Sequence, residues 1–279
     1  MHFLIYTNHH KDADFTYTNE ICDYIVKNGH RYTSVTDKEG NVMPEDSIPT
    51  DADCMLVLGG DGSMLQAAWA VKNLDVPLIG VNLGTLGYMT EIEPQGIQEA
   101  LDHLFAGEFI TEERMMLKGE VLLTDGTHSK EWALNDIVIT RVGSLQITKL
   151  RVYVNGQFLN EYLADGVIIT TPTGSTGYSL SAGGPIVEPK ARLIMLTPIS
   201  PHTLNARSII LSPEDEIEIV VADGREGSQQ TVEANFDGAH KVLLKTGDKV
   251  RIVASRRTTQ IAKINCESFL EVLHRKISE

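Results

Sequence analysis

The rhythm of apolar residues changes near residue 108, and the change limits the chain to a fold of two differently built parts. Before it, short apolar runs alternate with amphipathic ones. Residues 2–7 read as an apolar strand. Residues 15–27 place Ile21, Tyr24 and Ile25 at helical spacing, and Gly29 suits the position just past a helix end. Residues 53–58 (DCMLVL) are a buried-type strand, 63–72 carry Leu65, Ala68 and Trp69 on one helical face, 77–81 are another strand, and 94–105 form a helix with proline in its first turn. Strand–helix–strand alternation predicts an open parallel sheet. From Leu117 to Val253 strands dominate, punctuated by Asp125-Gly126, Asn155-Gly156, Asp223-Gly224 and Asp237-Gly238. Asn155-Gly156, set between LRVYV and QFLNEYL, predicts a hairpin. The expected architecture is an N-terminal open parallel α/β domain over 1–108 and a C-terminal β-sandwich-like domain over 109–255. Residues 267–277 return to helical spacing, with Phe269, Leu270, Leu273 and Ile277 in one stripe. The tail 256–279 is therefore expected to dock back and complete the first domain, or to cover a partner subunit.

Composition narrows the function classes. With 279 residues, 42% of them hydrophobic, the chain can bury a sizeable core. No apolar run approaches the roughly 20 residues of a membrane-spanning helix, and the N-terminus lacks the basic flank of a signal peptide. A cytoplasmic protein without a membrane partner is expected. Cys22, Cys54 and Cys266 are far apart and make neither a CxxC pair nor a disulfide framework. The nine histidines show no metal-ligand spacing. A formal net charge of −14 argues against nucleic acid as a partner. It also repels polyphosphates, so any phosphate site must be built from backbone N–H groups, a few cations and bound metal ions.

Three segments carry chemistry. In Leu58-Gly59-Gly60-Asp61-Gly62-Ser63 an apolar strand runs through three glycines into a helix. Glycines allow a sharp turn and close ligand approach, and the helix N-terminus favours anions. No Walker lysine follows, and Leu65 occupies the third glycine position of a dinucleotide fingerprint. Asp61 either caps the following helix or turns its carboxylate to a substrate hydroxyl. Asn135-Asp136 interrupts the apolar run 132–140. The pair marks a bulge or strand-end turn, or it binds ribose hydroxyls or a base edge. The third segment, 165–187, joins a buried strand (167–171) to a loop rich in glycine and hydroxyls: Thr173, Gly174, Ser175, Thr176, Gly177, Tyr178, Ser179 and Ser181. Tyr178 either stacks on a ring or packs in a core.

In order and spacing, Gly59-Gly60-Asp61-Gly62, Asn135-Asp136 and Asp165-Gly166 with Thr171-Pro172-Thr173-Gly174-Ser175-Thr176-Gly177-Tyr178-Ser179 resemble the successive motifs of the NAD kinase family. Residues 201–207 resemble a further family segment. The glycine turn alone is shared with lipid kinases and phosphofructokinases, whereas the hydroxyl-rich loop is far more specific. The resemblance implies ATP-dependent phosphorylation of NAD to NADP, with the NAD site between two domains. Asp61 matches the family's general base for the 2′-hydroxyl, with Gly62 beside it. Asn135 and Asp136 match a ribose-holding pair, and Asp165 with the segment Thr176, Gly177, Tyr178, Ser179 and Ser181 matches an NAD-binding loop. Asn235 falls near a late NAD contact, and Tyr88 resembles an aromatic that neighbours adenine. A divalent cation, Mg²⁺, is implied as a companion of ATP, and homodimers or homotetramers are implied as assemblies. The chain departs from the family in two places. Asp136 stands where Glu is commoner, and Leu163 stands where Arg or Lys is frequent, which leaves Lys149, Arg151 or Arg207 to supply positive charge. The rival functions are a lipid or sugar kinase with the same glycine turn, and a non-catalytic NAD(P) sensor.

Overall fold

The computed structural model describes all residues except 85, 86, 144–146, 204, 205, 266 and 279. Cys266 and parts of the 84–87 turn and of the 201–207 segment lie outside the described residues. The chain divides into two compact units, one of Met1–Glu113 with Thr259–Glu279, the other of Arg114–Thr258.

The first unit is a parallel sheet wrapped by helices. Its elements are β1 (His2–Thr7), α1 (Thr16–Lys27), β2 (Arg31–Ser34), β3 (Cys54–Gly59), α2 (Asp61–Ala70), β4 (Leu78–Asn82), β5 (Thr90–Ile92) and α3 (Ile97–Ala106). Strand order is β2-β1-β3-β4, all parallel, with β5 beside β4. β1, β3 and β4 are buried along their whole length, because helices cover both faces. One face packs Phe3, Ile5, Leu56, Leu58 and Ile79 with Ile21 and Ile25 of α1 and Leu101 and Leu104 of α3. On the other face α2 approaches so closely that a Cβ on Gly80 would stand 3.0 Å from Met64 Sδ, and Tyr6 donates to Gln66 at 2.6 Å. Because the order reverses at β1 and β3, the carboxyl ends of these strands open a crevice of the kind that binds ligands in open α/β sheets. Asn8 and Gly59-Gly60-Asp61 lie there.

The second unit is built from antiparallel strands: β6 (Ile110–Leu122), β7 (His128–Ala133), β8 (Asp136–Arg141), β9 (Thr148–Val154), β10 (Gln157–Ala164), β11 (Gly166–Thr170), β12 (Ile194–Ile199), β13 (Ile209–Leu211), β14 (Ile217–Val221), β15 (Thr231–Phe236), β16 (His240–Lys245) and β17 (Lys249–Lys263), with a single helical turn, α4 (Tyr178–Ser181). β6 enters from the first unit, and the end of β17 returns to it, where Ile261 pairs with Leu78 of β4. One sheet has the order β13-β12-β11-β8-β15-β16; the strands β10-β9-β14-β17 and the β6–β7 pair form the other layer. Their shared core contains Ile137, Ile139, Val167, Ile169, Ala234 and Phe236 from the first sheet, with Leu150, Val152, Ile217, Ile219 and Ile252 from the second. Asn155 and Gly156 sit at φ 51° and 75° between β9 and β10, the left-handed pair that a tight hairpin needs.

The tail forms α5 (Phe269–Ser278), but its expected stripe is not covered as a whole. Val272 is the buried position, while Leu270 and Ile277 are each 70% exposed. Phe269 instead stands beside Tyr88, ring centroids 6.2 Å apart. Cys22 and Cys54 are buried free thiols, pushed up to about 11 and 12 by burial, and are packing residues.

Candidate active site

In the first unit, Asp61 is the opening residue of α2 and Gly60 is the cap, so the carboxylate is not a helix cap. It turns instead to the loop after β4. Tyr88 N donates to Asp61 Oδ2 at 2.8 Å and Met89 N to Oδ1 at 3.0 Å. Two donors leave a carboxylate with further acceptor capacity, and Asp61 is partly exposed. Gly87 permits this contact: a Cβ there would stand 2.1 Å from Asp61 Oδ1. Gly59 is equally constrained, since its Cβ would meet Ser63 Oγ at 2.1 Å. Ser63 Oγ in turn accepts from Asn8 Nδ2 at 2.9 Å. Gly62 is exposed in the first turn of α2, with open space around it. The first-turn N–H groups of Asp61 and Gly62 have no partner within the helix.

In the second unit, Asn135 is not inside a continuous strand. It lies in a two-residue break between β7 and β8, and Asp136 begins β8. The break is held by Asp237, whose carboxylate accepts three backbone N–H groups: Leu134 at 2.6 Å, Asn135 at 2.8 Å and Asp136 at 3.0 Å. The hydroxyl-rich loop closes on the same turn. Thr171 N and Thr170 Oγ1 each donate to Asn135 O at 2.8 Å, and Thr171 Oγ1 donates to Leu134 O at 2.6 Å. Gly174 lies against Asn135, where a Cβ would be 2.5 Å from the carbonyl oxygen. Ser175 clamps the far side of the loop through Val187 N and O, both at 3.1 Å.

Register places the expected polar residues on one sheet face. Asp136 is opposite Thr170, and Asn235 is opposite Val138 two positions on. That face carries Val138, Ile168 and Ile199 with Ala182, and it is the face turned away from the unit's main core. Asn135 Oδ1, Asn235 Oδ1 and Thr173 Oγ1 are buried without hydrogen-bond partners among the described residues. Such groups are costly in a finished interior and ordinary in a site that awaits a polar ligand. Thr176 and Gly177 are half-buried, Tyr178 and Ser181 are exposed, and Ser179 is fully buried with its hydroxyl 3.2 Å from Thr197 Oγ1. Asp165 is paired with Arg141, Nε to Oδ1 at 2.9 Å.

Burial raises the Asp136 carboxyl to about 7, helped by the nearby charge of Asp237, and raises Asp237 to about 6 despite its three backbone donors. Both carboxyls are poorly solvated, so each holds its proton to higher pH than a free carboxylate does.

The profile described as the ATP-NAD kinase N-terminal domain matches residues 23–109, and that for the ATP-NAD kinase C-terminal domain matches 134–264. An NAD kinase of Agathobacter rectalis is 46% identical over 99% of this chain and 98% of its own length. The chain belongs to the NAD kinase family. An NAD kinase of Lachnoclostridium phytofermentans is 40% identical over 99% of both chains. The fold is likewise that of solved NAD kinase relatives. The yeast NADH kinase, solved with NADH, superposes with a TM-score of 0.89 at 23% identity, covering all of this chain and 87% of the other. The NAD kinase of Archaeoglobus fulgidus, solved with ATP, superposes with a TM-score of 0.79 at 22% identity over 100% and 99%.

Two residues that organise the candidate site in this NAD kinase family member escape motif reading. Asp237 is legible only as the first half of a turn dipeptide, and its partners are about a hundred residues earlier. Arg141 is the cation beside Asp165, whereas Lys149 and Arg151 lie 4.0 Å and 2.8 Å from Glu161 and are paired there.

Proposed function

We infer that this chain moves the terminal phosphoryl group of ATP to the 2′-hydroxyl of the adenosine ribose of NAD, producing NADP. The observation that carries this assignment is the Asp61 carboxylate, fixed at the start of α2 by Tyr88 N and Met89 N and still partly exposed. Phosphoryl transfer needs in-line aim and charge neutralisation more than covalent help. Asp61 accepts a hydrogen bond from the 2′-hydroxyl, aims its oxygen, and takes the proton late, because a carboxylate is a weak base towards a sugar hydroxyl.

Asn135 and Asp136 hold the ribose and neighbouring groups of NAD. The unpartnered Asn135 Oδ1, Asn235 Oδ1 and Thr173 Oγ1 support a polar ligand on this face. Asp165, Thr176, Gly177, Tyr178, Ser179 and Ser181 line the NAD loop, Ser179 from beneath through Thr197. Tyr88 adjoins the adenine. Mg²⁺ arrives on the ATP oxygens. A cytoplasmic homodimer or homotetramer is the proposed working form. Among the described residues no helix is long and apolar enough to cross a membrane, and exposed Phe158, Ile210 and Leu243 offer apolar contact surface.

The test is to incubate the pure protein with ATP, Mg²⁺ and NAD and to detect NADP with an NADP-specific dehydrogenase, with Asp61→Asn beside it. NADP from the wild type and a turnover reduced about a hundredfold or more in the variant are expected. Near-normal turnover of Asp61→Asn would overturn the role of Asp61. NAD binding without any turnover would favour a sensor.

A further inference from the structure

An acidic chain that handles polyphosphates needs local positive charge, and the first unit places one cation at the glycine turn. The Nζ of Lys11 stands 2.8 Å from where a Cβ on Gly60 would be and 2.7 Å from where one on Gly84 would be. The ammonium thus occupies a notch between two glycines, each lacking the atom that would expel it. The notch lies beside Asp61, and Gly84 belongs to the loop whose far end, Gly87 to Met89, receives the Asp61 carboxylate. Among the described residues the Lys11 ammonium has neither a hydrogen bond nor an ion pair.

The segment that carries Lys11 is held from both sides. Asn8 N donates to Leu58 O at 2.9 Å, and Lys11 N and Asp12 N donate to Asn8 O at 2.9 and 3.0 Å. The buried Asp12 carboxylate accepts Tyr17 N, Thr18 N and Thr18 Oγ1 at the start of α1. Only the lysine side chain is spare. An exposed lysine normally extends into solvent. This one folds back over the turn, where the N–H groups of Asp61 and Gly62 also point.

We propose that Lys11 binds the phosphoanhydride chain of the phosphoryl donor, neutralising it against Gly60, the residue that precedes Asp61. The proposal rests on the kinase assignment above. In transfer to a hydroxyl held by Asp61, the phosphoryl group lies between acceptor and leaving group. A cation seated against Gly60 then serves the donor's phosphates and not the acceptor's rings. The chemistry recognised is the phosphate chain itself, whether carried by ATP or by inorganic polyphosphate.

The experiment compares wild type, Lys11→Met and Lys11→Arg. Lys11 is exposed and its side chain makes no internal hydrogen bond or ion pair, so thermal melting temperatures are expected to coincide. Losing one charge-assisted contact predicts a rise of about tenfold or more in KM for ATP in Lys11→Met, with KM for NAD within about twofold and Lys11→Arg near wild type. Calorimetry with inorganic tripolyphosphate should show the same loss of affinity, and inhibition by adenosine should be unchanged. An ATP KM and a tripolyphosphate affinity both unaltered in Lys11→Met would overturn the proposal, as would equal rises in the KM values for ATP and NAD. If the wild type makes no NADP, the kinase assignment fails, while tripolyphosphate binding still decides the role of Lys11.

Discussion

Replacing Asp237 by alanine removes the acceptor for three backbone donors at once: Leu134, Asn135 and Asp136. An N–H left unpaired in a buried turn costs about 1–3 kcal/mol. Alanine must also adopt the positive φ of 51° that Asp237 holds, which costs about 1–2 kcal/mol more. Against this, the variant no longer buries a carboxylate whose ionised form is disfavoured, as its rise to about 6 shows. The net expected loss is about 3–5 kcal/mol. Asparagine separates charge from shape. It tolerates the left-handed backbone, and its one carbonyl oxygen can still serve Asn135 N and Asp136 N. Its NH₂, however, meets Leu134 N where an acceptor stood. A smaller loss, about 1–3 kcal/mol, is expected for Asp237→Asn. Urea unfolding followed by circular dichroism gives both values. Because the same turn presents Asn135 and Asp136, the KM for NAD should rise about tenfold or more in Asp237→Ala, with the KM for ATP little changed. An alanine variant within about 0.5 kcal/mol of wild type, with an unchanged KM for NAD, would show that the carboxylate does not hold the turn.

Two further outcomes follow from single contacts. Gly87→Ala puts a Cβ 2.1 Å from Asp61 Oδ1, so the carboxylate must swing away; turnover should fall about a hundredfold while far-UV circular dichroism stays native. The third concerns pH. The folded Asp136 carboxyl titrates at about 7 against 3.8 unfolded, so its ionisation is costlier in the native state. Its contribution to stability is full below the unfolded value and is lost as pH rises towards 7. Asp136→Asn removes this loss, so stability of the variant relative to wild type should climb between about pH 4 and 7, by at most about 4 kcal/mol. A difference that stays flat over that window, measured by urea unfolding, would refute the buried-pair account.

Local causes were legible in the amino-acid order alone. The continuous apolar run DCMLVL reads as a buried strand, and Cys54–Gly59 is one, buried along its whole length. Asn155-Gly156 closed a hairpin because asparagine and glycine tolerate positive φ. The glycines before Asp61 and the loop 173–181 announced a site through the backbone freedom and hydroxyls they supply, and they resembled one family. Pattern also reached Asn135-Asp136, although as a continued strand or a break in one; the break is what formed. Which partners these residues meet was set by the folded topology. Asp61 looked like a helix cap at short range, and the topology brought Tyr88 and Met89 to it from a loop 27 and 28 residues later. Asp237 read as a turn, and strand pairing of β15 with β8 set its carboxylate against the 134–136 backbone. The stripe of α5 was correct as a periodicity but silent about which side finds cover. The reason is common to all three. A residue's own dihedral preferences and spacing act over a few positions, whereas the partner of a polar group depends on where the sheet order returns the chain, and no short window of sequence contains that order.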